Sequence, residues 1–83
     1  IDIIAALGSM LVFCEVKSRS SFVCGSGAEA VNRRKQLHIL YTAMLYMQKM
    51  GQADRLCRFD ILEVCLSDPD HPRLNHIRNA FGL

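Results

Sequence analysis

The four cysteines of this chain, Cys14, Cys24, Cys57 and Cys65, form no CxxC pair and match no zinc-ribbon or zinc-finger spacing. Common structural-zinc classes are therefore excluded. Cys14 and Cys65 lie in apolar runs, where a reduced cysteine behaves as a small hydrophobe, so reduced thiols and a cytoplasmic setting are expected. Long hydrophobic runs are also missing. Ile3 to Cys14 is apolar apart from Gly8 and Ser9, but it is too short to span a bilayer and is flanked by Asp2 and Glu15. With no basic segment ahead of it, a signal peptide is not expected. Low-complexity tracts are lacking, and 51% hydrophobic with 22% charged residues describes a folding chain rather than a disordered one. Charge of one sign is scarce too. Ten basic against eight acidic residues give a net charge of +2, so any affinity for nucleic acid must come from local clustering of cations. His38, His71 and His76 have no metal-ligand spacing, and each is expected in a structural role.

Residues 1–83 are enough for one small domain, burying about 60–65% of the surface its unfolded chain exposes. Ile1 to Leu7 and Met10 to Lys17 read as two strands joined by Gly8-Ser9, the composition of a II′ turn. Ser18 to Gly27 is a Ser- and Gly-rich surface connection, and Ser26 to Glu29 has capping-box spacing for one short helical turn. Asn32 caps a helix expected from Arg33 to Met50, with Gly51 as its stop. Leu37, Leu40, Tyr41, Met44 and Met47 recur at helical spacing and are expected to face the core. Ile39, Leu45, Tyr46 and Met50 widen that surface, so cover on a second side is expected from a homodimer, another partner or a segment preceding Ile1. Phe59 to Leu66 reads as a third strand, Ser67 to Pro72 as a turn, and Leu74 to Ile77 as a short edge strand. The expected fold class is α/β (α+β): a mixed sheet containing a hairpin, with one main helix packed on it.

With Gly8 and Ser9 as turn residues, Leu7 pairs with Met10, and counting outward places Asp2 opposite Glu15. Opposed residues have Cβ atoms about 5 Å apart, and at an effective dielectric of 20 two carboxylates at that distance repel by roughly 3 kcal/mol. A cation is needed between them. Strand alternation puts Lys17 on the face of Glu15, and the remaining oxygens suit a hard metal such as magnesium. A cross-strand salt bridge at the end of a hairpin is the plainer reading of the same residues.

The runs Ile1-Asp2-Ile3-Ile4-Ala5 and Leu11 to Arg19 resemble the YraN family of bacterial proteins, within the PD-(D/E)XK restriction-endonuclease-like superfamily. Ala28-Glu29-Ala30-Val31, Arg34-Lys35, Arg58-Phe59-Asp60 and His76 to Phe81 are similar to the same family, so the resemblance extends over nearly the whole chain. It implies a restriction-endonuclease-like fold that here lacks the family's amino-terminal helix and first strand. The Gln-x-x-x-Tyr helix motif of some related nucleases is not met, because Leu40 stands four residues after Gln36.

The implied activity is metal-dependent hydrolysis of nucleic-acid phosphodiesters, with Asp2, Glu15 and Lys17 as catalytic residues. The implied metal is magnesium, with manganese as a substitute, held by Asp2, Glu15 and the main-chain carbonyl of Val16. Lys17 would contact the attacking water or the phosphate. Arg33, Arg34 and Lys35 oppose the helix macrodipole in the first turn, and with Arg19 they make a track for a nucleic-acid backbone, DNA in preference to RNA. Arg58 and Asp60 share a strand face and are expected to pair, with Asp60 as a further site carboxylate the sharper alternative. Tyr41 and Tyr46 are expected to pack. Two other functions fit these residues: a non-catalytic nucleic-acid-binding module of the same fold, and a structural or interaction protein docking through its wide apolar helix face.

Overall fold

A computed structural model describes residues 1–19 and 31–82. The Ser- and Gly-rich connection, from residue 20 on, and the capping-box turn at Ser26 to Glu29 lie outside the described residues. Strand β1 (Ile3–Leu7) turns into β2 (Met10–Arg19), helix α1 (Arg33–Lys49) crosses over, and β3 (Leu56–Cys65) and β4 (Arg73–Phe81) complete the sheet. The strand order is β1-β2-β3-β4, with β2 and β3 parallel and the outer pairs antiparallel. This is the expected α+β arrangement of one helix on a mixed sheet. No helix among the described residues is long and apolar enough to cross a membrane.

Turn chemistry sets the register. Gly8 has φ +59° while Ser9 does not take a positive φ, as a II′ turn requires, and Leu7 pairs with Met10. Arg55 clamps the turn from outside, donating to the carbonyls of Ser9 and Gly8 at 3.0 Å each. At the start of α1, the Asn32 side chain accepts from the Lys35 amide at 2.9 Å. At its end Gly51 takes φ +68°, with Gly51 donating to Gln48 and Gln52 to Met47, the paired bonds of a Schellman motif.

The helix buries Met47 of the row that its apolar periodicity suggests and packs Leu40 against the core, but Ile39 and Ala43 supply the rest of its buried side. Ile39, Ala43 and Met47 face the sheet, while Leu37, Tyr41 and Met44 are about half exposed. The reason is steric. Ala43 has no side chain beyond Cβ, so the helix sits close against a layer of rings in which Phe13 stacks on Phe59 at 5.5 Å and Phe59 on Phe81 at 5.4 Å. Tyr46 meets Phe13 edge-on at 6.0 Å and packs as expected, whereas Tyr41 does not. The exposed row borders a groove that Phe59, Asn79 and Phe81 line from the sheet side.

Strand β4 is longer than the short edge strand expected, because a bulge hides its alternation. Phe59 pairs with Phe81 and Ile61 with Ile77, so four residue steps on β4 match two on β3. Asn79 sits in this irregularity with φ +51°, and Asp60 accepts the Asn79 amide at 2.9 Å. Asp60 also accepts two bonds from Arg58 at 2.9 Å and contacts His76 Nε2 at 2.8 Å, all with its carboxylate fully buried.

Cys65 is disulfide-bonded, which corrects the expectation of a reduced side chain there, while Cys14 and Cys57 are free. Burial pushes the Cys14 thiol up, and the charges of Asp60, Asp2 and Glu15 add to the rise. Thiolate is the reactive form, so Cys14 is expected to resist a thiol-specific disulfide reagent in the native protein while exposed Cys57 reacts. Peptide mapping of the labelled protein checks this, and equal labelling rates at both positions would contradict it.

Candidate active site

Glu15 lies in the second half of β2, at the end of the parallel strands where α1 begins. Pockets of α/β proteins form outside the carboxyl ends of such strands. Alternation puts Leu11, Phe13, Glu15, Lys17 and Arg19 on the helix-covered face, and Leu11 and Phe13 there are core residues. Glu15 thus continues a buried row, and it is itself only 6% exposed. A charge so placed needs partners.

Those partners are cations. Lys17 Nζ is 3.8 Å and Lys35 Nζ 3.4 Å from Glu15 Oε2. The main-chain nitrogen of Ile1 lies 3.2 Å from Oε1 without hydrogen-bond geometry, and buried Oε1 has no hydrogen-bond partner among the described residues. Lys35, expected on the phosphate track, also reaches Glu15 in this cluster.

Asp2 does not continue the ladder. Pairing stops at Ile3 with Cys14, the Asp2 amide donates to the Cys14 carbonyl at 3.0 Å, and its carboxylate accepts the Val16 amide at 2.8 Å. A short acidic side chain competes well for a free backbone donor at a strand end, and doing so turns it away from a direct opposition to Glu15. Because the N–H and C=O of a strand residue point the same way, the Val16 carbonyl is turned toward the Asp2 side, past the end of β1. Asp2 and the Val16 carbonyl therefore share the open edge of β2, while Glu15 projects from its helix-covered face. Among the described residues no group of three or more His, Cys, Asp or Glu side chains is placed to hold a metal. Magnesium asks for less, since it keeps several waters and takes one or two carboxylates. The oxygen donors present, including Oε1, are of the hard type that ion takes.

Glu63 is a residue that spacing did not single out. It pairs in register with Lys17 on the neighbouring parallel strand, is fully buried, and has Arg19 Nε 2.7 Å from its Oε2, without hydrogen-bond alignment. The available signal was a lone charge inside Ile61-Leu62-Glu63-Val64-Cys65. Arg19, expected on the same track, is thereby paired with the neighbouring strand. Arg33 reaches Gln36 and the Gly82 carbonyl, both at 3.3 Å. Arg34 has no ion pair among the described residues, and with Asn32, Lys35 and His38 it lines a cavity of about 510 Å3 at the helix start. Asp60 pairs with Arg58 as expected, but it lies across from Cys14 on the opposite sheet face and does not join the site.

Hairpin, helical crossover and returning parallel strand make a small α+β domain with a buried carboxylate held by lysines where the crossover begins. The family model described as "Uncharacterised protein family UPF0102" matches residues 1–64. The chain belongs to this family, in agreement with the YraN-like resemblance. It is 43% identical to a UPF0102 protein of Alkaliphilus oremlandii over 98% of its length and 70% of the relative's. With a UPF0102 protein of Geobacter sulfurreducens it shares 40% identity over 100% of its own length and 65% of the relative's. For the UPF0102 protein of Hahella chejuensis the figures are 47% identity, 75% of this chain and 50% of the relative.

Proposed function

We propose that this chain carries the catalytic region of a metal-dependent endonuclease acting on nucleic-acid phosphodiesters, DNA in preference to RNA, in the bacterial cytoplasm. The observation that carries the reading is Glu15: a carboxylate buried at the helix end of the parallel strands, with an unbonded oxygen, next to Asp2, the Val16 carbonyl and two lysines. A magnesium ion bound to Asp2, Glu15 and the Val16 carbonyl would supply a Lewis acid for the phosphoryl oxygen and a water of lowered pKa. The residues of the chain would do the rest. Lys17 sets an ammonium beside the developing oxyanion, and Arg34 at the cavity mouth attracts the backbone phosphates. The cytoplasmic setting follows from the substrate and not from the cysteines, since Cys65 is disulfide-bonded.

One observation favours a second reading, a nucleic-acid-binding module without turnover: two lysines already neutralise Glu15. Incubation of labelled single- and double-stranded DNA and RNA with magnesium separates the two. Cleavage stopped by chelation and lost in Glu15→Gln, with the circular dichroism spectrum unchanged, is the expected result. Binding without cleavage on every substrate would move the assignment to the binding module. Neither binding nor cleavage would leave an interaction protein.

A further inference from the structure

We infer that Lys35 is a displaceable counterion of Glu15, which a divalent cation must evict in order to bind. The inference rests on the proposed metal site and assigns a regulatory role to a helix residue within it.

Glu15 Oε2 has two ammonium groups near it, Lys17 at 3.8 Å and Lys35 at 3.4 Å, although one positive charge suffices to neutralise a carboxylate. The two cations also repel each other across that oxygen, which weakens the hold on each. Lys35 is the better candidate to leave. Its side chain is 46% exposed against 33% for Lys17, so water already solvates much of it. Its backbone is held by the Asn32 cap at 2.9 Å, which lets the side chain swing without disturbing the helix. Room exists for the swing, because Lys35 is also part of the wall of the cavity it shares with Asn32, Arg34 and His38. A divalent ion at Glu15 would repel the ammonium toward that cavity, where the same charge is available to a substrate phosphate. In the absence of metal, Lys35 shares with Lys17 the neutralisation of the buried carboxylate.

Manganese affinity, measured by isothermal titration calorimetry at neutral pH, tests this without any dependence on turnover. Four proteins are compared: wild type, Glu15→Gln, Lys35→Gln and Arg34→Gln. Arg34→Gln removes one positive charge from the same helical turn without touching Glu15. Circular dichroism and thermal melts establish that each variant is folded. A competitor as exposed as Lys35 is weak, so Lys35→Gln should bind manganese about two- to fivefold more tightly than both wild type and Arg34→Gln. Binding should be lost in Glu15→Gln. Wild-type binding that depends on Glu15 but is unchanged or weakened in Lys35→Gln would overturn the role of Lys35 and leave the metal site standing. An equal gain in Lys35→Gln and Arg34→Gln would also overturn it, reducing the effect to net charge. Manganese binding by neither wild type nor Lys35→Gln, or binding indifferent to Glu15→Gln, would remove the metal site and this inference together.

Discussion

Asp60→Ala is expected to lower the unfolding free energy by roughly 2–4 kcal/mol at neutral pH, a large share of the 5–15 kcal/mol typical of a domain. The fully buried carboxylate gathers two bonds from Arg58, the Asn79 amide and the His76 ring. Removing it strands an amide that the β4 bulge has taken out of the sheet ladder, as well as a guanidinium that is only 21% exposed. The partial exposure of Arg58 keeps the expectation somewhat below the loss seen for wholly buried pairs. Acid should reveal the same group. Burial pushes the Asp60 carboxyl up, but the Arg58 hydrogen bonds, the Asn79 amide, the His76 ring and the Arg58 charge outweigh it, and the carboxyl is held below its ordinary value. A depressed carboxyl contributes its full stability above the unfolded value of about 3.9 and loses it as pH falls through the lower folded value. Urea unfolding from pH 7 down to pH 2 should therefore show wild type losing stability below about pH 4, with Asp60→Asn lacking that part of the slope. A wild-type-like midpoint for Asp60→Ala at pH 7 would show that these bonds contribute little to stability.

Lys17→Ala should lower cleavage by about a hundredfold or more at saturating magnesium, the usual loss when one electrostatic contact to a developing charge is removed. Its melting temperature should change little. The 3.8 Å pair with Glu15 is a third exposed, so its net contribution to stability is at most about 1 kcal/mol, and Lys35 at 3.4 Å still neutralises the carboxylate. The combination separates two roles. A purely structural counterion would give a folding defect relieved by magnesium together with normal turnover, whereas a catalytic lysine gives a folded protein that turns over slowly. Full activity in the variant would strip Lys17 of the role assigned to it.

Local chemistry made the hairpin legible from the chain alone. Gly8 supplies the positive φ that a II′ turn needs, and once the turn is placed, the pairing of Leu7 with Met10 follows without any long-range information. The helix limits were readable for the same reason, since Asn32 and Gly51 act on backbone groups within a few residues of themselves. Alternation along β2 likewise put Glu15 and Lys17 on one face, and the resemblance of the surrounding runs gave the family.

What periodicity left undecided were choices between parts distant in the chain. Helical spacing does not fix which side of α1 is covered, and the flat stack of Phe13, Phe59 and Phe81 selected the side centred on Ala43, which allows close approach. The bulge at Asn79 broke the alternation that would have shown β4 at full length. Asp60 looked like a possible site carboxylate beside Arg58, and only the parallel register with Cys14 put it on the other face from Glu15. The contacts of Lys35 with Glu15 and of Glu63 with Arg19 were hidden for the same reason: one partner arrives from a helix and the other from a neighbouring strand. Spacing within a single segment carries no record of which segments will meet, because burial and register are settled by packing between them.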